Sequence, residues 1–270
     1  MIDLAEATFI IPIRIESSDR LRNVITTTAF LLENFNTNII IKEVDSESIF
    51  KKEALPILKD ILDVEININH IFEKSDEPLF HRQKVLNEMI YESKTKIIIN
   101  YDCDVLLPLN SYDNAYQSIL QSTYDVVYPY GQGMYQKQVH TTDEIVSQFL
   151  QTSDFKVLDI NSNIHTSDFG WVQFFNRQVY IDGGMENENF KAYSPEDKER
   201  FYRFTTLGYN VGRIDNYVYH LEHSRGENSW FNNPHMKENL DLWELLQQLN
   251  KDQLIHYYST QSYLKKYASI

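Results

Sequence analysis

Short apolar bursts and longer amphipathic stretches alternate along the first part of the chain. Residues 7–15 (ATFIIPIRI), 37–45 (TNIIIKEVD), 64–72 (VEININHIF) and 96–102 (KIIINYD) are rich in β-branched and aromatic residues and read as strands. In the third run Val64, Ile66 and Ile68 alternate with polar neighbours. Helical patterns lie between these runs. Residues 17–35 follow an N-cap at Ser17, Ser18 or Asp19. Residues 48–62 form a weaker helix, begun or interrupted at Pro56. Residues 80–94 place Val85, Leu86, Met89 and Ile90 on one side. Such alternation predicts an α/β fold with a mostly parallel central sheet flanked by helices.

The second half is less regular. Strands are expected over 124–129 and 171–176, a loop over 131–136, and a polar, loop-rich stretch over 152–166. Residues 177–185 predict a short helix ended by glycine. Residues 194–208 carry a serine cap, Pro195 at the first helical position, acids in the first turn and Gly208 at the end, which predicts a helix. From Pro234 onward the chain reads as one or two closing helices. The expected organisation is one domain over 1–233 with a C-terminal helical extension, 234–270, packed on it. No repeat or low-complexity segment interrupts this pattern.

Composition narrows the class. The 270 residues are 42% hydrophobic and 24% charged, as in ordinary globular proteins. A net charge of −14 argues against a general nucleic-acid binder, which would present a basic face. No apolar run approaches the roughly 18–20 residues that span a bilayer. The N-terminal MIDLAEATFI lacks the basic-then-apolar form of a signal peptide. Cys103 is the sole cysteine, so no internal disulfide framework exists. A cytoplasmic, soluble protein is the expectation. The tail YYSTQSYLKKY has two readings, a peripheral contact with an anionic membrane or a helix packed on the domain.

Candidate chemistry collects where strands end. In open α/β sheets, ligands sit beyond the carboxyl ends of the strands. Arg14, Asp45, Asp102 and Asp104 follow or end the predicted strands. Asp102 and Asp104 flank one residue, a spacing that holds a divalent cation such as Mg²⁺ or Mn²⁺ against a diphosphate. With 39 acidic residues such pairs also arise by chance, but this one closes an apolar strand and precedes VLLP. His220 and His223, in HLEHSR, offer imidazoles that would shift a mixed Asp/His site towards Mn²⁺. Glu196 and Asp197 open the 194–208 helix, whose dipole keeps a carboxylate ionised and able to accept a proton. Arg14, Phe80 and Arg82 supply cations and a ring suited to phosphate and base.

Taken in order, these motifs resemble those of the GT-A glycosyltransferases, and within them the β-1,4-galactosyltransferases and their bacterial relatives. PIR at 12–14 is similar to that family's P-F-R. FHRQKVLN at 80–87 is similar to F-N-R-A-K-L-L-N, and YDCDVLLP at 101–108 to S-D-V-D-L-I-P. DFGWVQ at 168–173 is similar to Y-F-G-G-V-S, YSPED at 193–197 stands where the family has W-G-G-E-D, and HSR at 223–225 matches H-S-R. The resemblance spans roughly residues 8–234 and implies a GT-A fold and metal-dependent sugar transfer. It implies that Asp104 and His223 bind the metal, with His220 at a position where the family has methionine and Asp102 supporting the metal or touching the ribose. Asp197 would be the base of an inverting transfer, and Glu196 would position the acceptor. Arg14, Phe80 and Arg82 would hold uridine diphosphate, with Gly170 and Trp171 beside the donor. Asp168, Trp171, Tyr193 and the Ser194-Pro195 pair depart from the family pattern, so the donor sugar is not carried over.

The implied function is transfer of a sugar of the Gal, GalNAc or Glc type from a UDP-sugar. The acceptor would be a hydroxyl of a glycan or a lipid-linked glycan, in bacterial surface polysaccharide synthesis. The rival reading is a non-catalytic UDP-sugar-binding or scaffold protein on the same fold.

Overall fold

A computed structural model describes residues 1–167, 169–192, 195–226 and 232–267. Asp168, Tyr193 and Ser194, which carry part of the motif comparison, lie outside the described residues. The strands are β1 (Ile2–Ile13), β2 (Phe35–Asp45), β3 (Asn69–Lys74), β4 (Ile97–Tyr101), β5 (Val105–Leu106), β6 (Val126–Tyr128), β7 (Gln136–Val139), β8 (Ser162–Ile164), β9 (Val172–Asn176), β10 (Val211–Arg213) and β11 (Val218–Leu221).

The larger sheet has the order β10-β6-β9-β4-β1-β2-β3. Strand β9 runs antiparallel to β4 and β6, and every other pairing is parallel. This is the mostly parallel sheet that the strand–helix alternation predicts. Helices Ser18–Asn34, Arg82–Glu92 and Leu109–Leu120 pack against it. Covering both faces of β4 buries Ile97, Ile98 and Ile99 together, which explains why that run is continuously apolar.

Several expectations need correction. The third strand begins at Asn69, because its ladder with β2 starts only where Asn69 meets Ile40. Val64, Ile66 and Ile68 still pack partly buried against the core, so their alternation records burial without strand pairing. The 152–166 stretch holds a short helix, Lys156–Ile160, and the strand β8. Pro195 is the N-cap of the Glu196–Leu207 helix, one position earlier than expected. Gly208 ends that helix with φ +94°, as its position predicts.

A second sheet, β5-β11-β7-β8, continues beyond the end of β4. The turn 102–104 joins the two sheets. The buried Tyr101 hydroxyl donates to the Val105 carbonyl at 2.6 Å and pairs with the Tyr112 hydroxyl at 2.6 Å, which fixes that turn from below. Strand β5 pairs antiparallel with β11, placing His220 opposite Val105.

Helices Met236–Leu246 and Lys251–Ser259 pack against the Glu196–Leu207 helix. The Tyr258 hydroxyl donates to Glu199 at 2.6 Å, and the Arg203 guanidinium lies 4.4 Å over the Tyr258 ring. Tyr258, Tyr263 and Tyr267 are all buried, so packing on the domain accounts for these tail rings. No helix among the described residues is long and apolar enough to cross a membrane.

Gly184 has φ +94°, and a Cβ there would lie 2.5 Å from the Tyr258 ring. Gly184→Ala therefore combines a left-handed backbone with overpacking and is expected to cost about 2–4 kcal/mol. Urea unfolding at neutral pH measures this as a lower midpoint.

Candidate active site

The site residues implied by the motif resemblance line one cleft of about 260 Å³ at the carboxyl edge of β1 and β4. They are Arg14, Phe80, Arg82, Asp102, Asp104, Gly170, Trp171, Glu196, Asp197, His220 and His223. Asp45 does not join them; its carboxylate accepts from the Ser46 backbone N–H, because the cleft opens over β1 and β4 and not over β2.

At one end of the cleft Asp104, His220 and His223 converge. The β5–β11 ladder and a 2.7 Å bond from the Leu221 N–H to the Asp104 carbonyl bring them together. One ligand atom from each side chain lies within 4.8 Å of the other two. His223 Nε2 is 3.2 Å from Asp104 Oδ2, and His220 Nε2 is 3.6 Å from Asp104 Oδ1. The other ring nitrogens are occupied. His223 Nδ1–H donates to the Ser224 carbonyl at 2.7 Å, and His220 Nδ1 pairs with Gln138 Oε1 at 2.9 Å. With Nδ1 engaged, each ring turns its Nε2 towards Asp104, and that nitrogen is the one a cation could use.

Protonation states agree with this. Burial pushes His220 down to about 4 against the pull of Asp104, so its imidazole is neutral at physiological pH. Burial opposes ionisation of Asp104, but His220 and His223 outweigh it and hold the carboxyl below its ordinary range. His223 is pulled the other way: burial lowers it, and the bond to Asp104 raises it overall. An ionised carboxylate and two imidazoles with outward lone pairs fit a divalent cation.

Asp102 stands outside this trio. Its carboxylate is held by Arg82, which also reaches Asn100 Oδ1 at 3.3 Å. Burial, Asp104 and Asp197 push Asp102 up to about 6 despite Arg82. Asp102 is thus paired with Arg82, beside the Asp104 cluster and not in it. Between the two aspartates, burial drives the Cys103 thiol upward, which favours its protonated form.

Arg14 is largely committed to structure. Its Nε donates to Val44 O at 2.8 Å, and one Nη donates to Glu77 O and Pro78 O at 3.0 Å each. Its guanidinium also lies 5.4 Å over the Phe80 ring, so it shapes the loop that carries that ring. Trp171 adopts φ +70°, a strained conformation for a bulky residue. Bonds around it enforce the turn: Tyr130 OH and Gln173 Nε2 donate to Gly170 O, and the Asp102 N–H donates to Trp171 O. The indole then stacks on His220 at 5.9 Å.

Glu196 and Asp197, in the first turn of their helix, line the same cleft. Asp197 Oδ1 accepts from Arg200 at 2.7 Å. A Cβ on Gly170 would lie 3.0 Å from Asp197 Oδ2, so glycine makes room for this carboxylate. Arg200 is fully buried. It grips Glu186 through two 2.7 Å bonds and also donates to Gln173 Oε1 at 3.2 Å. Sequence reasoning missed Arg200, although its spacing three residues after Asp197 on a helix was a signal. It also missed Glu186, Gln173 and Gln138, which long-range packing alone brings here, and Arg20, His165 and Arg225, which line the same cleft.

No protein-family model matches the sequence, and no curated protein does. Solved structures do. The chain is similar to the mannosyltransferase PcManGT from Pyrobaculum calidifontis in complex with GDP-Man and Mn²⁺, with 12% identity and a TM-score of 0.55 over 98% of this chain and 73% of that one. It is also similar to S. aureus TarS 1–349 in complex with UDP-GlcNAc, with 11% identity and a TM-score of 0.56 over 94% of this chain and 71% of that one. The fold is a GT-A glycosyltransferase fold. The resemblance to β-1,4-galactosyltransferases rests on the motifs alone.

Arg200→Met leaves Glu186 charged and buried without its cation and is expected to cost about 3–5 kcal/mol. The double variant R200M/E186M removes both charges and should recover most of that loss. A double-mutant cycle of urea midpoints measures the coupling.

Proposed function

We propose that this protein is a metal-dependent inverting glycosyltransferase that moves a hexose of the Gal, GalNAc or Glc type from a UDP-sugar to an acceptor hydroxyl. The observation that carries this reading is the convergence of Asp104, His220 and His223 in the same cleft as Asp197. The two similar structures support it at the level of ligand class, since one holds GDP-Man with Mn²⁺ and the other UDP-GlcNAc. The motif resemblance supports the narrower choice of UDP and of inversion.

In this reading Asp104, His220 and His223 hold Mn²⁺ or Mg²⁺, with the imidazoles favouring Mn²⁺. When bound, the cation supplies charge neutralisation for the departing diphosphate. Arg14, Arg20 and Arg225 add positive charge around that cleft. Phe80 offers a face to the base. Asp102, through Arg82, sits where it can order the ribose. Asp197 is the general base. Arg200 occupies its Oδ1, and Oδ2 beside Gly170 takes the proton of the acceptor hydroxyl. The acceptor oxygen forms a bond to the anomeric carbon as the bond from that carbon to the phosphate oxygen breaks, and UDP leaves with the electron pair. Glu196 positions the acceptor. Domain 1–233 carries this chemistry, and the 234–270 extension braces the base-bearing helix. A glycan or lipid-linked acceptor in bacterial surface polysaccharide synthesis, used on the cytoplasmic side, fits the single cysteine and the motif resemblance.

A thermal-shift screen of UDP-Gal, UDP-Glc, UDP-GalNAc and UDP-GlcNAc, each with and without Mn²⁺, tests nucleotide, sugar and metal together. Stabilisation by at least one donor only when Mn²⁺ is present is expected; none with any donor overturns the reading. Asp197→Asn should keep the UDP-dependent shift and lower transfer by about 10²–10⁴-fold, the worth of general base catalysis. Near wild-type transfer by that variant removes Asp197 from the role.

Metal affinity should also depend on pH. Protons compete for the imidazole lone pairs, and Asp104 raises the affinity of His223 for its proton. Apparent Mn²⁺ affinity is therefore expected to fall as pH drops through the His223 pKa, by about tenfold per unit below it. Calorimetric titration at steps of about one pH unit from about pH 8 down to about pH 5 checks the slope.

A further inference from the structure

The backbone between the two histidines is held from both sides in a way that metal-ligand chemistry alone does not require. Asp19, Arg22 and Asn23, spaced i, i+3 and i+4, lie on one face of the first turns of the Ser18–Asn34 helix. The fully buried Asn23 donates through Nδ2 to Leu221 O at 3.1 Å and to Glu222 O at 3.3 Å. Arg22 donates to the same Glu222 carbonyl at 3.4 Å. The Asp19 carboxylate accepts from the Ser224 N–H and, at 3.1 Å, from the Ser224 hydroxyl. From the opposite side, the Glu222 N–H reaches Thr141 Oγ1 at 2.7 Å and Val139 O at 3.1 Å. The Leu221 N–H is taken by Asp104 O. Every backbone polar group of Leu221 and Glu222 is thus bonded, and Ser224, whose carbonyl orients His223, is tied to Asp19.

We propose that Asp19, Arg22 and Asn23 form a positioning clamp that sets the separation of His220 and His223 and so pre-organises the cation site. The inference rests on the metal-site reading above and assigns these helix residues a part in it. None of the three side chains needs to touch the cation. Their effect is to remove backbone freedom from the segment that carries two ligands, so that Nε2 of each ring already faces Asp104 before a cation arrives. Without the clamp, binding must also order that segment, and affinity falls.

The test is a calorimetric titration of the full chain with Mn²⁺ alone, for wild type, Asp19→Ala and Asp19→Asn. Loss of supporting partners of this kind typically costs about 10–100-fold in metal affinity, and that is the loss expected for Asp19→Ala. Asp19→Asn keeps an oxygen that can accept from the Ser224 N–H and should recover most of the affinity. A merely structural role for Asp19 would lower the unfolding temperature of both variants and leave the Mn²⁺ dissociation constant unchanged. Arg22→Ala, which removes only the longer 3.4 Å bond to Glu222 O, should show the same loss in smaller measure, and it decides the matter if Asp19→Ala does not fold. Wild-type affinity in Asp19→Ala, or in Arg22→Ala in its place, overturns the clamp while leaving the metal site standing. Failure of the wild type to bind Mn²⁺ overturns both.

Discussion

The site depends on one short antiparallel ladder. Two residues of β5 meet β11, and the Leu221 N–H closes on the carbonyl of Asp104. That pairing turns a polar strand end from the middle of the chain and a histidine pair from near its end into neighbours. Strand β7 lies parallel on the other side of β11 and supplies Gln138 to His220. The second sheet is small, yet it orients the His220 ring and brings His220 and His223 to Asp104. Its anchor is the buried Tyr101–Tyr112 pair, which holds the start of β5 against the end of β4.

A second constraint is charge. Asp102, Asp104, Glu196 and Asp197 share one cleft, and such a concentration of carboxylates is costly unless each is answered. The answers differ. Asp102 has Arg82, Asp104 has two imidazoles, and Asp197 has Arg200. Arg200 in turn is neutralised by Glu186, whose backbone is pinned by Asn87 of the Arg82–Glu92 helix. The helix that offers Arg82 to the cleft therefore also braces the Glu186–Arg200–Asp197 chain. Such buried ion pairs add little net stability but fix geometry, because breaking one leaves an uncompensated charge.

Strain also marks the cleft wall. Trp171 keeps a left-handed backbone because three hydrogen bonds to Gly170 and Trp171 carbonyls hold it there. The result places a small residue beside Asp197 and a large ring beside His220. A chain free to relax would offer neither. The indole at position 171 therefore packs directly on the His220 ring.

Much of the frame was legible in the residues themselves. The four early strands, the helices between them and the glycine-ended Glu196–Leu207 helix follow from local periodicity and capping, which act over one or two turns of chain. The clustering of Arg14, Asp102 and Asp104 at one edge follows from parallel topology, since parallel strands end on the same side. The start of β3 was misread because burial and strand pairing both leave an alternating pattern, and only pairing defines the strand. The Arg82–Asp102 pair, the Arg200–Glu186 pair and the bonds from Asn23 to the Leu221 and Glu222 carbonyls had no local signature. Each is a contact between segments far apart in sequence, and its energy exists only after the sheet has closed. The amino-acid order thus determined which groups were available and where the strands would present them. The tertiary structure alone decided which carboxylate met the imidazoles and which met an arginine, because that choice turns on distances and desolvation that no short stretch of chain contains.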